Sequence, residues 1–147
     1  MNRKDFRIGN YVTLADEAKE ALIKELNIKN KEKFKNLFFK IHFMNDSVVG
    51  LHIGNTKEYF GWNEVERVKI TGEVLKQFGF KHDKKLNMFS LYIPEMDTEI
   101  ICNDTRYSKS LLLRGENGFI PLNKVNTIDR LQNLYFAITG KELERMK

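Results

Sequence analysis

Between residues 37 and 70 the chain runs through LFFKIHF (37–43), SVVGLHI (47–53), KEYFGW (57–62) and VERVKI (65–70), none longer than seven residues. Turn-forming residues separate them, Asn45-Asp46 after the first run and Gly54-Asn55 after the second. Asn and Asp bend a chain by bonding to nearby main chain, and Gly accepts a positive φ without penalty. A parallel pair of strands needs a crossover of a dozen or more residues, and these gaps hold no such connection. Neighbouring strands here are therefore expected to pair antiparallel. Strands this short and evenly spaced predict a small curled sheet or barrel.

The pattern resumes after a helical interruption. In ITGEVLKQFGF (70–80), Thr71 can accept from the first helical N–H groups. Gly79 suits the left-handed position that ends a helix, and Phe80 then folds back on Leu75. These signals predict a helix over 72–78. After a charged turn at HDKK (82–85), LNMFSLYI (86–93), EIIC (99–102), SLLLR (110–114) and GFIPL (118–122) predict a second antiparallel sheet. GENG (115–118) reads as the loop of its last hairpin.

Upstream, FRIGNYVTL (6–14) reads as a turn feeding a strand. DEAKEALIKELN then reads as a short amphipathic helix, with Asp16 as N-cap and Ala18, Leu22 and Leu26 on one face. A last helix should run from Asn126 or Thr127 to Gly140. On a wheel, Ile128, Leu131, Leu134, Tyr135, Phe136 and Ile138 cover an arc of about 200°. Gln132 falls inside that arc and Asn133 just outside it. An unbonded buried amide costs about 1–3 kcal/mol, so Gln132 is expected to bond main chain of a neighbouring strand or loop.

These elements predict an α+β protein: an N-terminal small SH3-like β-barrel or curled antiparallel sheet with a helical insertion, a short central helix, a second antiparallel sheet and a C-terminal packing helix. Residues 1–147 are expected to form a single compact domain, with possible lobes at 1–70 and 71–147.

Three blocks in this order carry a resemblance: RIGNYV (7–12), ITGEVLKQFGF (70–80) and RLQNLYFAITGKEL (130–143). The chain resembles a family of small uncharacterised proteins of Bacteroidota and of their phages and mobile elements. There the blocks read like LRIGNYV, PLTEEWLLKFGF and VHQLQNLYFALTGKEL. The blocks cover about a fifth of the chain, and the last is the most specific. The chain departs from the pattern at DEAKEALIKELN and at Gly72-Glu73-Val74, where the family tends to have Glu-Glu-Trp. The resemblance implies a phage-related origin and carries over no catalytic residue.

Composition narrows the chemistry. A lone cysteine, Cys102, excludes an internal disulfide and suits a reducing compartment. No apolar run approaches the roughly 20 residues that span a bilayer, and MNRKDFRIGNYV lacks the apolar core of a secretory signal. A cytoplasmic protein without a membrane partner is expected. Net charge is +5, from 25 basic and 20 acidic residues, a mixed surface that favours acidic partners only slightly.

His42, His52 and His82 lack metal-ligand spacing, although His42 and His52 could meet across a hairpin. Cys102 reads as a small hydrophobe ending a strand. Glu64 with Glu66, Asp97 with Glu99, and Asp104 stand in polar surroundings. No glycine-rich phosphate loop is present. Neither a catalytic residue, a metal nor a cofactor is expected.

One constellation remains. Lys29, Lys31, Lys33 and Lys35 alternate with other residues; extended, they would line one face, and helical, they would scatter. Tyr59 and Trp62 flank Phe60 and Gly61, and aromatics beside a basic rim can stack unpaired bases. A non-catalytic binding module of phage or mobile-element origin is expected, recognising nucleic acid or a host or phage protein. The alternative is a structural or assembly protein of a phage particle, or an oligomeric inhibitor of host defence.

Overall fold

A computed structural model describes residues 5–104 and 109–146. The protein is α+β, with two antiparallel five-stranded sheets and four α-helices among these residues. The chain divides into two compact units, residues 1–68 and 69–147.

The first unit runs β1 (Tyr11–Leu14), α1 (Asp16–Glu25), α2 (Lys31–Lys35), β2 (Phe39–Met44), β3 (Val48–Ile53), β4 (Thr56–Gly61), a 3-10 turn (Trp62–Glu64) and β5 (Val65–Arg67). Its strand order is β4-β3-β2-β1-β5. No pairing between β4 and β5 closes this sheet among the described residues. The expected turn before β1 is present: Gly9 has φ +99°, and the buried Asn10 side chain accepts from the Arg7 amide. α1 is the expected helical insertion between β1 and β2, and α2 adds a second helix to it. Asp16 is the first helical residue rather than the cap, which is Ala15. Ala18 and Leu22 bury as the spacing predicts, but Ile23 joins them and Leu26 stays exposed. Alternation puts Val12, Leu14, Phe39, Ile41, Val49, Leu51, Phe60 and Val65 into one apolar cluster under the sheet.

The second unit begins with α3 (Gly72–Gln77), whose boundaries follow their chemistry. Thr71 Oγ1 accepts from the Val74 amide at 3.2 Å, one of the donors a helix start leaves over. At the other end Phe80 donates to the Leu75 carbonyl and Gly79, at φ +89°, to that of Lys76. This is the complete Schellman closure.

A sheet of order β10-β9-β8-β7-β6 follows: β6 (Lys81–Asp83), β7 (Met88–Ile93), β8 (Thr98–Asp104), β9 (Lys109–Gly115) and β10 (Gly118–Pro121). The first part of the predicted HDKK turn is therefore strand, because His82 and Asp83 pair with Phe89 and Met88. The row Phe89–Cys102–Leu111 is buried. The neighbouring row Leu91–Ile100–Leu113–Ile120 loses cover toward β10, from 0% exposure at Ile100 to 60% at Ile120.

α4 (Ile128–Thr139) ends at Gly140, φ +73°. Its buried face is shorter than the wheel predicts. Ile128, Asp129, Leu131 and Gln132 are fully buried, Leu134, Tyr135 and Ile138 are partly covered, and Phe136 is 40% exposed. The first half of the helix packs and the second half emerges. Gln132 does what its cost demands: Nε2 donates to the Leu143 carbonyl at 3.3 Å. The amide thereby ties the segment after the helix back onto it, aided by Met146 donating to the Gln77 carbonyl at 2.7 Å. No helix among the described residues is long and apolar enough to cross a membrane.

Candidate functional site

The lysine row is not an extended strip. Lys31–Lys35 form α2, capped by Asn30, whose Oδ1 accepts from the Lys33 amide, and anchored by the buried Phe34. At 100° per residue, Lys31 and Lys35 share one side and Lys33 points away from them. Lys35 holds Glu20 at 3.0 Å, a hydrogen-bonded ion pair that lowers the Glu20 carboxyl and raises the Lys35 ammonium. Lys29 precedes the helix and is exposed. The row thus fails to present four cations in one direction.

The aromatic pair also divides. Trp62 stacks on Phe6 at 5.7 Å between centroids, packs against the apolar cluster and donates its indole N–H to the Asn45 carbonyl at 2.9 Å. Phe6 in turn carries the Arg67 guanidinium 4.4 Å over its face. Trp62 is therefore engaged in packing. Tyr59 stands 57% exposed on β4.

Around Tyr59 the outer face of β2, β3 and β4 brings His42 and His52 together across the hairpin, as their spacing allowed, and adds Phe43 and Lys57, which the spacing did not connect to them. Ile41 pairs with Leu51 and Phe43 with Gly50, which leaves His42 as an extra residue. A bulge of this kind turns the strand and re-aims its side chains. It places His42 with its ring 4.7 Å from that of His52 and 5.6 Å from that of Tyr59, while Phe43 meets Tyr59 edge-on at 6.1 Å. Gly50, opposite Tyr59, makes this possible. A Cβ at Gly50 would fall 2.8 Å from His42 Nε2 and 2.9 Å from Tyr59 Cε1. Lys57 pairs with His52 and lies two residues from Tyr59 on the same side of β4.

His42 Nε2 is buried without a hydrogen-bond partner. Such a group costs about 1–3 kcal/mol and calls for an explanation. Burial first, then His52 and Lys57, hold the His42 imidazole below its ordinary range. At neutral pH it is an uncharged flat ring within an aromatic cluster, and the lysine supplies the charge.

The remaining candidates have local surroundings of their own. Cys102 is buried, and His82 is stacked on Phe89 at 4.2 Å. Glu64 accepts from the Gly61 amide, Glu99 pairs with Arg114 at 2.8 Å, and Asp97 accepts from the Tyr92 hydroxyl at 2.7 Å. Glu66 is exposed on β5, and the side chain of Asp104 lies outside the described residues. Among the described residues no three potential metal ligands cluster. The arrangement can stack a planar group against Tyr59 and attract an anion with Lys57. The signals in sequence were faint: a glycine inside a β pattern at Gly50, and two histidines ten residues apart across a turn. No family model, curated protein or solved structure matches the chain.

Proposed function

We propose that the chain is a non-catalytic binding module that takes single-stranded nucleic acid across the outer face of β2, β3 and β4. The observation that carries this reading is Tyr59, exposed, braced edge-on by His42 and Phe43, with Lys57 beside it. A fixed aromatic face stacks any unpaired base, worth about 1–3 kcal/mol per base. A neighbouring lysine neutralises phosphate and makes the binding salt-dependent. The same division of labour, aromatics on a sheet face with cations around them, serves single strands in known sheet-based modules.

In this proposal the N-terminal unit is an open SH3-like barrel. The all-antiparallel order β4-β3-β2-β1-β5 and the 3-10 turn between β4 and β5 support it. The functional reading rests on the site and not on the fold. The resemblance to proteins of phages and mobile elements supports an origin in which nucleic acid is an available partner.

Fluorescence anisotropy of a labelled single-stranded oligonucleotide tests the reading. Binding should weaken as salt rises, and Tyr59→Ala should cost about tenfold in affinity. Lys57→Glu should weaken binding more than the triple change of Lys31, Lys33 and Lys35 to Glu. Absence of salt-sensitive binding at low ionic strength sinks the proposal. A larger loss from the α2 triple variant than from Tyr59→Ala and Lys57→Glu would move the site to α2.

A further inference from the structure

Four strands form the edges of the two described sheets: β4 and β5 in the first, β6 and β10 in the second. Three carry charge, Lys57 and Glu58 on β4, Glu66 and Arg67 on β5, Lys81 and Asp83 on β6. Charge on an edge blocks unwanted strand pairing. β10, Gly118-Phe119-Ile120-Pro121, has none, and all four of its residues are exposed, Phe119 to 64%. Met96 and Leu113 flank it in a groove of about 400 Å³, with Met96 itself 48% exposed.

The direction of its main-chain groups follows from its pairing with β9. Gly118 pairs with Gly115 across the two-residue turn, Ile120 pairs with Leu113, and Leu122 donates to the Leu111 carbonyl at 2.9 Å. Alternate residues of an antiparallel strand bond to the same side. Gly118, Ile120 and Leu122 therefore spend their groups on β9, while Phe119 and Pro121 turn theirs outward. Pro121 has no N–H to offer. The open edge presents one donor, the Phe119 N–H, and two acceptors, the carbonyls of Phe119 and Pro121.

We propose that β10 pairs antiparallel with β10 of a second copy of this chain, across a twofold axis through Phe119, to join two sheets into one. In this register the Phe119 N–H donates to the carbonyl of the partner's Phe119 and receives the same bond in return. The single donor of the edge is used once by each copy. The two phenyl rings lie side by side on one face, the arrangement in which cross-strand aromatic pairs contribute to sheet stability.

Charge selects a second copy over other occupants. Glu116 lies in the turn before β10 and Lys124 in the turn after it, and both are exposed. The acidic end of each edge meets the basic end of the other, and the twofold axis repeats the match. Closure follows as well. Head-to-tail pairing would bring β10 against the charged β6, whereas the twofold contact uses β10 twice and ends at a dimer. The contact is small beside the roughly 1,200 Å² and more of stable interfaces, so the dimer should form in the micromolar range.

Sedimentation velocity over about 1–500 µM tests this, at the scale where a weak contact titrates. A monomer–dimer equilibrium without larger species is expected, and Phe119→Lys should hold the protein monomeric. Glu116→Lys should weaken the dimer by about fivefold, and the swap of Glu116→Lys with Lys124→Glu should restore it. The charge swap keeps the proposal testable should Phe119→Lys fail to fold. A monomer throughout the series overturns it and leaves the edge to solvent or to a strand of another protein. So does a dimer indifferent to both Phe119→Lys and the charge changes, and so does growth beyond two copies.

Discussion

The β3–β4 and β9–β10 hairpins are made by one local device and finish in different chemistry. Each turns in two residues, Gly54-Asn55 between Ile53 and Thr56, and Glu116-Asn117 between Gly115 and Gly118. Each ends in an edge strand. On β4 that strand carries Lys57, Glu58 and Tyr59 beside an imidazole pair; on β10 it carries Phe119 and Ile120 with no charge. Turn residues fix which strands pair, because they set the loop length and hence the register. They leave open what the outer surface does. The first hairpin offers a face, with rings and a cation pointing from the sheet. The second offers an edge, with main-chain groups and apolar side chains at its rim.

The comparison breaks first at the core, where the two hairpins should behave alike. Leu51 on β3 and Leu111 on β9 are both buried. Leu51→Ala and Leu111→Ala should each cost about 2–5 kcal/mol in denaturant unfolding. A cost well under 1 kcal/mol at either site would mean that its hairpin is not packed as described.

Glycines sharpen the contrast. Gly50→Ala pushes a methyl into the His42 and Tyr59 rings and should cost about 1–3 kcal/mol while weakening oligonucleotide binding. Gly118→Ala meets open space but sits at φ +124°. It should cost about 1–2 kcal/mol through backbone strain and leave oligonucleotide binding unchanged. Equal losses of binding in the two variants would erase the distinction between the hairpins.

Smaller effects separate surface from stability. Tyr59→Ala and Phe119→Ala remove exposed rings, so each should change unfolding free energy by only about 0.5 kcal/mol. The smallest effect is with pH. His42 is held below its ordinary range in the folded state, so between that lowered value and the unfolded one the unfolded chain binds more protons. Its contribution is fully present above the unfolded value near 6.5 and declines as pH falls through the folded one. Denaturant midpoints at pH 7.5 and 5.5 should therefore differ less in His42→Asn than in the parent chain.

Legibility in the sequence followed the locality of the physics. Thr71, Gly79 and Gly140 bound their helices where capping rules place them. Gly54-Asn55 and GENG turned their hairpins for the same reason. α2 stays open in the sequence between helix and strand because alternating lysines suit an edge strand equally well. Only Asn30 as cap and Phe34 as lone anchor distinguish it, and five residues give periodicity little to act on. β6 escaped because Lys81-His82-Asp83 has no strand propensity of its own and exists through its pairing with β7. The exposure of Phe136 and the burial of Asp129 reflect tertiary cover, which a helical wheel does not contain. The site was the least legible part. Its assembly depends on a bulge at His42 and on the absence of a side chain at Gly50, and neither leaves a regular pattern.

An amide NMR titration with a short single-stranded oligonucleotide tests the division between face and edge most directly. Salt-sensitive shifts should centre on residues 41–43, 50–52 and 57–60 and spare 110–121. Shifts confined to β10 or to α2, or none at low salt, would contradict the assignment of nucleic-acid binding to the outer face of β2, β3 and β4.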